Sequence, residues 1–199
     1  MPQETQIASD RTAQVVVQQN GVQGAAMATI SSCPAPAGGS CTPGDFFILP
    51  GTQYGIFQHG ADFSLVTKSH PAKPGEILIG YMTGLPGAWP TVPTGQPSPF
   101  QPLATVLQSN VTFVNVFNIV INGVTVSNET LPGSIPFLGL SPGSVGLYQI
   151  NFVLPDNARP GDAQIKLEQV LCEPIFGQCG PAPNNPRTYD SVPVLLPIG

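Results

Sequence analysis

Apolar and polar residues alternate with a period of two in segment after segment of this chain, which is the spacing of half-buried β-strands. In residues 12–19, Ala13, Val15 and Val17 fall on one face and Gln14 and Gln18 on the other. Asn20-Gly21 follows, a two-residue hairpin turn because both positions tolerate positive φ, and residues 25–30 supply the return strand. Short strands are predicted at 46–49, 54–58, 63–67 and 76–83. The longest apolar run, 111–121, carries Phe113, Phe117, Ile119 and Ile121 on one parity and Val114, Val116 and Val120 on the other, so both of its faces need cover. Asn122-Gly123 then turns the chain into 124–127. Further strands are predicted at 136–140, at 147–154 with Tyr148, Ile150 and Phe152 inward, and at 162–171 with Ala163, Ile165 and Leu167 inward. The last segment, 191–199, has Val192, Val194 and Leu196 on one face and Pro193 and Pro197 on the other parity, as suits an edge strand.

Composition narrows this to one class. With 24 Pro and 22 Gly among 199 residues, a long helix has almost nowhere to form. The 41% apolar content, at a net charge of only −5, is enough to build a core. Seven to ten short strands punctuated by turns give an all-β, antiparallel β-sandwich. Residues 1–30 form an N-terminal hairpin, 31–44 a linker of Ser, Cys, Pro, Ala and Gly, and 45–199 the sandwich. Residues 84–102 hold six prolines and no charge, and are predicted as an extended surface loop.

Charge removes several functions. Charged residues are 9% of the chain, and between Glu76 and Asp156 there is one, Glu129. Three Lys and three Arg spread over the whole length cannot line a groove for nucleic acid. Pro, Gly, Asn and Gln interrupt every apolar run, so no segment suits membrane insertion as a helix. The segment Met1-Pro-Gln-Glu-Thr-Gln6 lacks the basic and apolar regions of a signal peptide; an exported form would be a mature one with an added Met1. A strand surface with so few charges is prone to edge pairing, so 77–155 is expected to be buried or covered by a partner.

Candidate chemistry is sparse. Cys33 and Cys41, and Cys172 and Cys179, are close pairs within Gly/Pro-rich segments, and proximity favours local disulfides and an oxidising compartment. Free thiols and a four-cysteine zinc site are the alternatives, though the gaps are wide for zinc. His59 and His70, with Asp62 nearby, are read as loop residues without a chemical role. No nucleophile elbow, zinc-helix motif, phosphate loop or carboxylate cluster is found, so the reading is non-enzymatic with no cofactor and no metal. Trp89, in the Pro-rich loop, and Tyr81 suggest carbohydrate stacking; the bland reading packs Trp89 onto the sandwich as an anchor. Asn110-Val-Thr and Asn128-Glu-Thr match glycosylation acceptors, a motif common by chance.

The segment Gly146-Leu-Tyr-Gln-Ile-Asn151, closed by Pro155 and followed by Pro160-Gly-Asp162, resembles a known family. It is similar to the C-terminal immunoglobulin-like domain of large secreted proteins of Acidobacteria such as Solibacter. Tyr54-Gly-Ile-Phe57, Pro71-Ala-Lys-Pro-Gly75, Pro93-Thr-Gly-Gln-Pro97 and Ile121-Asn-Gly-Val124 fit the same pattern over most of residues 11–199. Two cysteine-bearing insertions, 32–42 and 172–187, and the apolar run from Val111 depart from it. The resemblance implies an immunoglobulin-like sandwich in a secreted, non-catalytic module, with no catalytic residues to carry over. The expected function is a structural or adhesive module, extracellular or on the cell surface, whose partners are copies of itself or other surface proteins. The hairpin, through Ala13, Val15 and Val17, is the candidate assembly strand for a filament joined by strand donation; a carbohydrate-binding module, with a glycan as partner, is the alternative.

Overall fold

The computed structural model describes residues 12–19, 22–29, 44–85, 87–106, 114–126, 133–172 and 187–199, and among them there is no helix. The chain is an all-β, antiparallel sandwich with a separate N-terminal hairpin. Fourteen strands are present among the described residues: β1 (Thr12–Gln19), β2 (Val22–Thr29), β3 (Asp45–Phe46), β4 (Phe57–His59), β5 (Ile77–Thr83), β6 (Ala88–Trp89), β7 (Thr105–Val106), β8 (Val114–Ile121), β9 (Val124–Val126), β10 (Phe137–Leu140), β11 (Tyr148–Val153), β12 (Gly161–Cys172), β13 (Arg187–Asp190) and β14 (Val194–Ile198).

One layer is a seven-stranded sheet in the order β3-β5-β11-β10-β7-β6, with β4 also paired to β5. The other is five-stranded, in the order β13-β12-β8-β9, with β14 paired to β12. The period-two alternation of the sequence becomes the inner faces: Phe57, Leu78, Met82, Ile150 and Phe152 from the first sheet meet Phe117, Ile119, Ile165, Leu167 and Leu196 from the second in one buried cluster. On β8 the outward Asn118 and Val120 are buried as well, so both faces of the run are covered from Phe117 to Ile121. Asn122 and Gly123 take φ of 49° and 81°, the all-positive turn that suits the twist of a two-residue hairpin.

β14 lies along the sheet edge beside β12, and it is not bare. Tyr54 bridges to Leu195 and Ala72 to Ile198, both in parallel sense, which ties this edge to segments from the other layer. The two prolines expected of an edge strand, Pro193 and Pro197, fit this position, but Val192 precedes the strand and is 59% exposed rather than inward.

Several local expectations are corrected. Segment 63–67 forms no strand, only an isolated bridge between Gln58 and Leu65, because Phe63 takes φ of 60° and breaks the extended run. The return strand of the first hairpin starts at Val22 rather than residue 25, since Gln19 pairs directly with Val22 across the two-residue turn. The Pro-rich segment is not wholly a loop: β6 within it pairs with β7, and Leu85, Ala88 and Ser98 are buried. His59 is not a loop residue but the end of β4, 4% exposed. The linker 31–43, the glycosylation motifs at Asn110 and Asn128, and Cys33, Cys41 and Cys179 lie outside the described residues, as does the cysteine pairing; Cys172 ends β12.

Candidate binding face

The outer face of the seven-stranded sheet brings together the two aromatic residues singled out in the sequence. Trp89 on β6 pairs with Thr105 on β7, Thr105 with Gly139 on β10, Gly139 with Gln149 on β11, and Gln149 with Tyr81 on β5. Cross-strand partners project to the same face, so these five residues form one row across the sheet. Four interstrand steps make the row about 19 Å long. Trp89 is 64% exposed, and so does not anchor its loop by packing inward, contrary to the simpler expectation. Its chain neighbour Ala88 fills that role instead, buried on the inner side of a two-residue strand.

Hydrogen bonds hold the middle and far end of the row. Gln149 accepts a bond from Ser141 Oγ at Oε1 (3.1 Å) and donates from Nε2 to Asn151 Oδ1 (2.9 Å). Tyr81 donates its phenolic proton to Gln58 Oε1 at 2.8 Å. Gly139 is required because β7 comes close: a Cβ there would run into the carbonyl oxygen of Ala104. No side chain therefore stands between Thr105 and Gln149. A second row, Phe137, Asn151, Ile79 and Gln58, runs parallel to the first. Neither row contains a charged residue.

A separate polar cluster sits at the β4 end of the inner face. Nδ1 of His59 is 3.0 Å from each oxygen of Glu76, and the His59 ring stacks on that of His70 at 4.1 Å between centroids. Ser64 Oγ donates to Asp62 Oδ1 at 2.7 Å, while His70 Nδ1 lies 3.4 Å away. The hydroxyl proton is thus directed at the carboxylate, not at an imidazole that could activate the oxygen. The Ser64 bond also holds the Asp62 carboxyl below its ordinary pKa. Among the described residues no group of three His, Cys, Asp or Glu side chains is placed to hold a metal ion.

The third polar feature is a surface clamp. Tyr54 donates to Asp162 Oδ2 at 2.7 Å, and Lys68 Nζ is 3.2 Å from the same oxygen and 5.1 Å from the Tyr54 ring centroid. The Tyr54 hydrogen bond, aided by Lys68, lowers the Asp162 pKa. Lys68's own interaction with the Tyr54 side chain, followed by its pairing with Asp162, raises the pKa of Lys68.

Sequence reasoning found Trp89 and Tyr81 but not their alignment, and it missed Gln149, Asn151 and Gln58 as their companions. Outward alternation was the only available signal for Gln149 and Asn151. The assembly residues Ala13, Val15 and Val17 lie on β1, opposite Ala28, Ala26 and Gly24 of β2, in a sheet of their own. No protein-family model matches this chain, and neither a curated protein nor a solved structure matches it.

Proposed function

We propose that the chain is a non-catalytic, extracellular or cell-surface structural module of immunoglobulin-like type that joins copies of itself through its N-terminal hairpin. The observation that carries this reading is that β1 and β2 pair with each other over eight residues each and belong to neither layer of the sandwich. A two-stranded hairpin is marginal in water on its own, and a third strand is what stabilises it. A strand edge of a second copy supplies that partner, and such head-to-tail contacts propagate when the rotation between copies does not close. The shortage of charge supports the same reading, since little electrostatic repulsion keeps copies apart. The placement outside the cell is supported by the close spacing of Cys33 and Cys41 and of Cys172 and Cys179, which favours local disulfides, and by the family resemblance.

Deleting residues 1–30 tests the reading directly, because it removes β1 and β2 and leaves every strand of the two sandwich sheets in place. Light scattering and electron microscopy should show the full chain assembling and the shortened chain monomeric. Equal assembly of both would remove the hairpin as the connector.

A further inference from the structure

We infer that the outer face of the seven-stranded sheet is a binding site for a neutral polysaccharide chain, laid across the strands along the row from Trp89 to Tyr81. This site is independent of the hairpin and concerns a different surface.

Four features of the row select the ligand. The first is its shape: two aromatic residues about 19 Å apart along one row of one sheet face fit an extended polymer rather than a single small molecule. The second is the aromatic chemistry. Trp89 is 64% exposed on a two-residue strand, and the face of an indole carries negative quadrupolar charge that attracts the weakly positive C–H bonds of a pyranose ring. The third is the polar inventory between the aromatics. An amide has two acceptor sites on oxygen and two donors on nitrogen. Gln149 uses one of each, on Ser141 and Asn151, and so keeps one acceptor and one N–H in a fixed orientation. Fixed amides that both donate and accept match hydroxyl groups, which do the same. The exposed Thr105 adds a hydroxyl to the series.

The fourth feature is the lack of charge in both rows, which decides against the competing occupants. A nucleic acid strand could stack a base on Trp89, but its phosphates would find no cation there. A second protein sheet packed face to face would bury the side chains of Gln149, Asn151, Gln58 and Thr105 against apolar surface, at a cost wherever a hydrogen bond was not replaced. A polyhydroxylated chain replaces the water on those groups bond for bond. Gly139, whose Cβ position is taken by the main chain at Ala104 and Thr105, puts no side chain in the middle of the row for the polymer to clear.

Affinity electrophoresis of the full chain, in gels cast with a β-glucan, a xylan, a mannan or anionic polygalacturonate, tests the assignment. Retardation by at least one neutral polymer is expected, with little by polygalacturonate. Trp89→Ala should weaken retardation at least tenfold and Gln149→Ala severalfold, while Trp89→Phe retains part of it. Phe63→Ala, which removes an aromatic ring that is 63% exposed and outside both rows, should leave retardation unchanged. Melting temperatures should match wild type for Trp89→Ala, because the ring is exposed, so that a loss reads as lost binding. The inference is overturned if no neutral polymer retards the protein, if polygalacturonate does so preferentially, or if Trp89→Ala is retarded as strongly as wild type. It is also overturned if Trp89→Ala abolishes self-association and leaves retardation intact, which would make the face a protein contact.

Discussion

Both carboxylate oxygens of Glu76 lie 3.0 Å from Nδ1 of His59, joining the residue before β5 to the end of β4 inside the rim of the core. Glu76 Oε1 also accepts the backbone N–H of Lys73 at 2.6 Å, so one side chain fixes both the buried imidazole and the turn leading into β5. Main-chain bonds from Gly75 to Leu154 and from Leu154 to Glu76 then lock this turn to the end of β11.

Glu76→Gln should therefore destabilise the fold. The amide offers one oxygen where the carboxylate offers two, and it turns a donor toward Nδ1 or toward the Lys73 N–H. Leaving a largely buried polar group short of its partner costs about 1–3 kcal/mol. Urea unfolding reads this directly. A loss within the roughly 0.5 kcal/mol typical of surface substitutions would mean that the pair is dispensable.

Phe57 is fully buried, with its ring 5.2 Å from that of Phe46 and 6.0 Å, edge-on, from that of Phe152. Phe57→Ala should cost about 3–5 kcal/mol through lost burial and the cavity left behind. Gly80 lies beneath the same rings: an added Cβ would come 2.9 Å from Phe57 Cε1 and 3.0 Å from Phe46 Cε1. Gly80→Ala should cost about 1–3 kcal/mol by overpacking. Adding Gly80→Ala to Phe57→Ala should cost less than it does alone, since the cavity accepts the methyl group. Strict additivity in a double-mutant cycle would contradict this packing.

Acid should weaken the fold partly through Asp162. Its pKa in the folded chain is depressed by the Tyr54 hydrogen bond and then by Lys68. A carboxyl depressed on folding contributes stability that is present above its unfolded pKa and is lost as pH falls through the folded value. Melting temperature should therefore drop as pH is lowered from about 5 toward 2. Tyr54→Phe and Asp162→Asn should each make that drop shallower. Slopes identical to wild type in both variants would show that the surface clamp carries no proton linkage.

Much of the architecture was legible because alternation is a local property. Tyr148, Ile150 and Phe152, and Ala163, Ile165 and Leu167, were assigned inward from parity alone, and all six are buried. The Asn122-Gly123 turn was equally local, because positive φ is a property of those two residue types. Strand existence failed where the chain's own pattern was misleading. The apolar Phe63 and Leu65 suggested a strand that the backbone at Phe63 prevents, and six prolines hid a strand as short as Ala88–Trp89.

Charge poverty, the all-β class and the inward faces of β11 and β12 were determined by the sequence itself, since composition and period-two spacing need no partner to be read. Tertiary structure alone decided what crosses between strands. The row from Trp89 through Thr105, Gly139 and Gln149 to Tyr81 gathers residues from positions 81 to 149 by register. Glu76 meets His59 across 17 positions, and Tyr54 meets Asp162 across 108. The physical reason is that register is fixed by hydrogen-bonded pairing between distant segments under the demand that every inner face be buried at once, and no local window contains that condition.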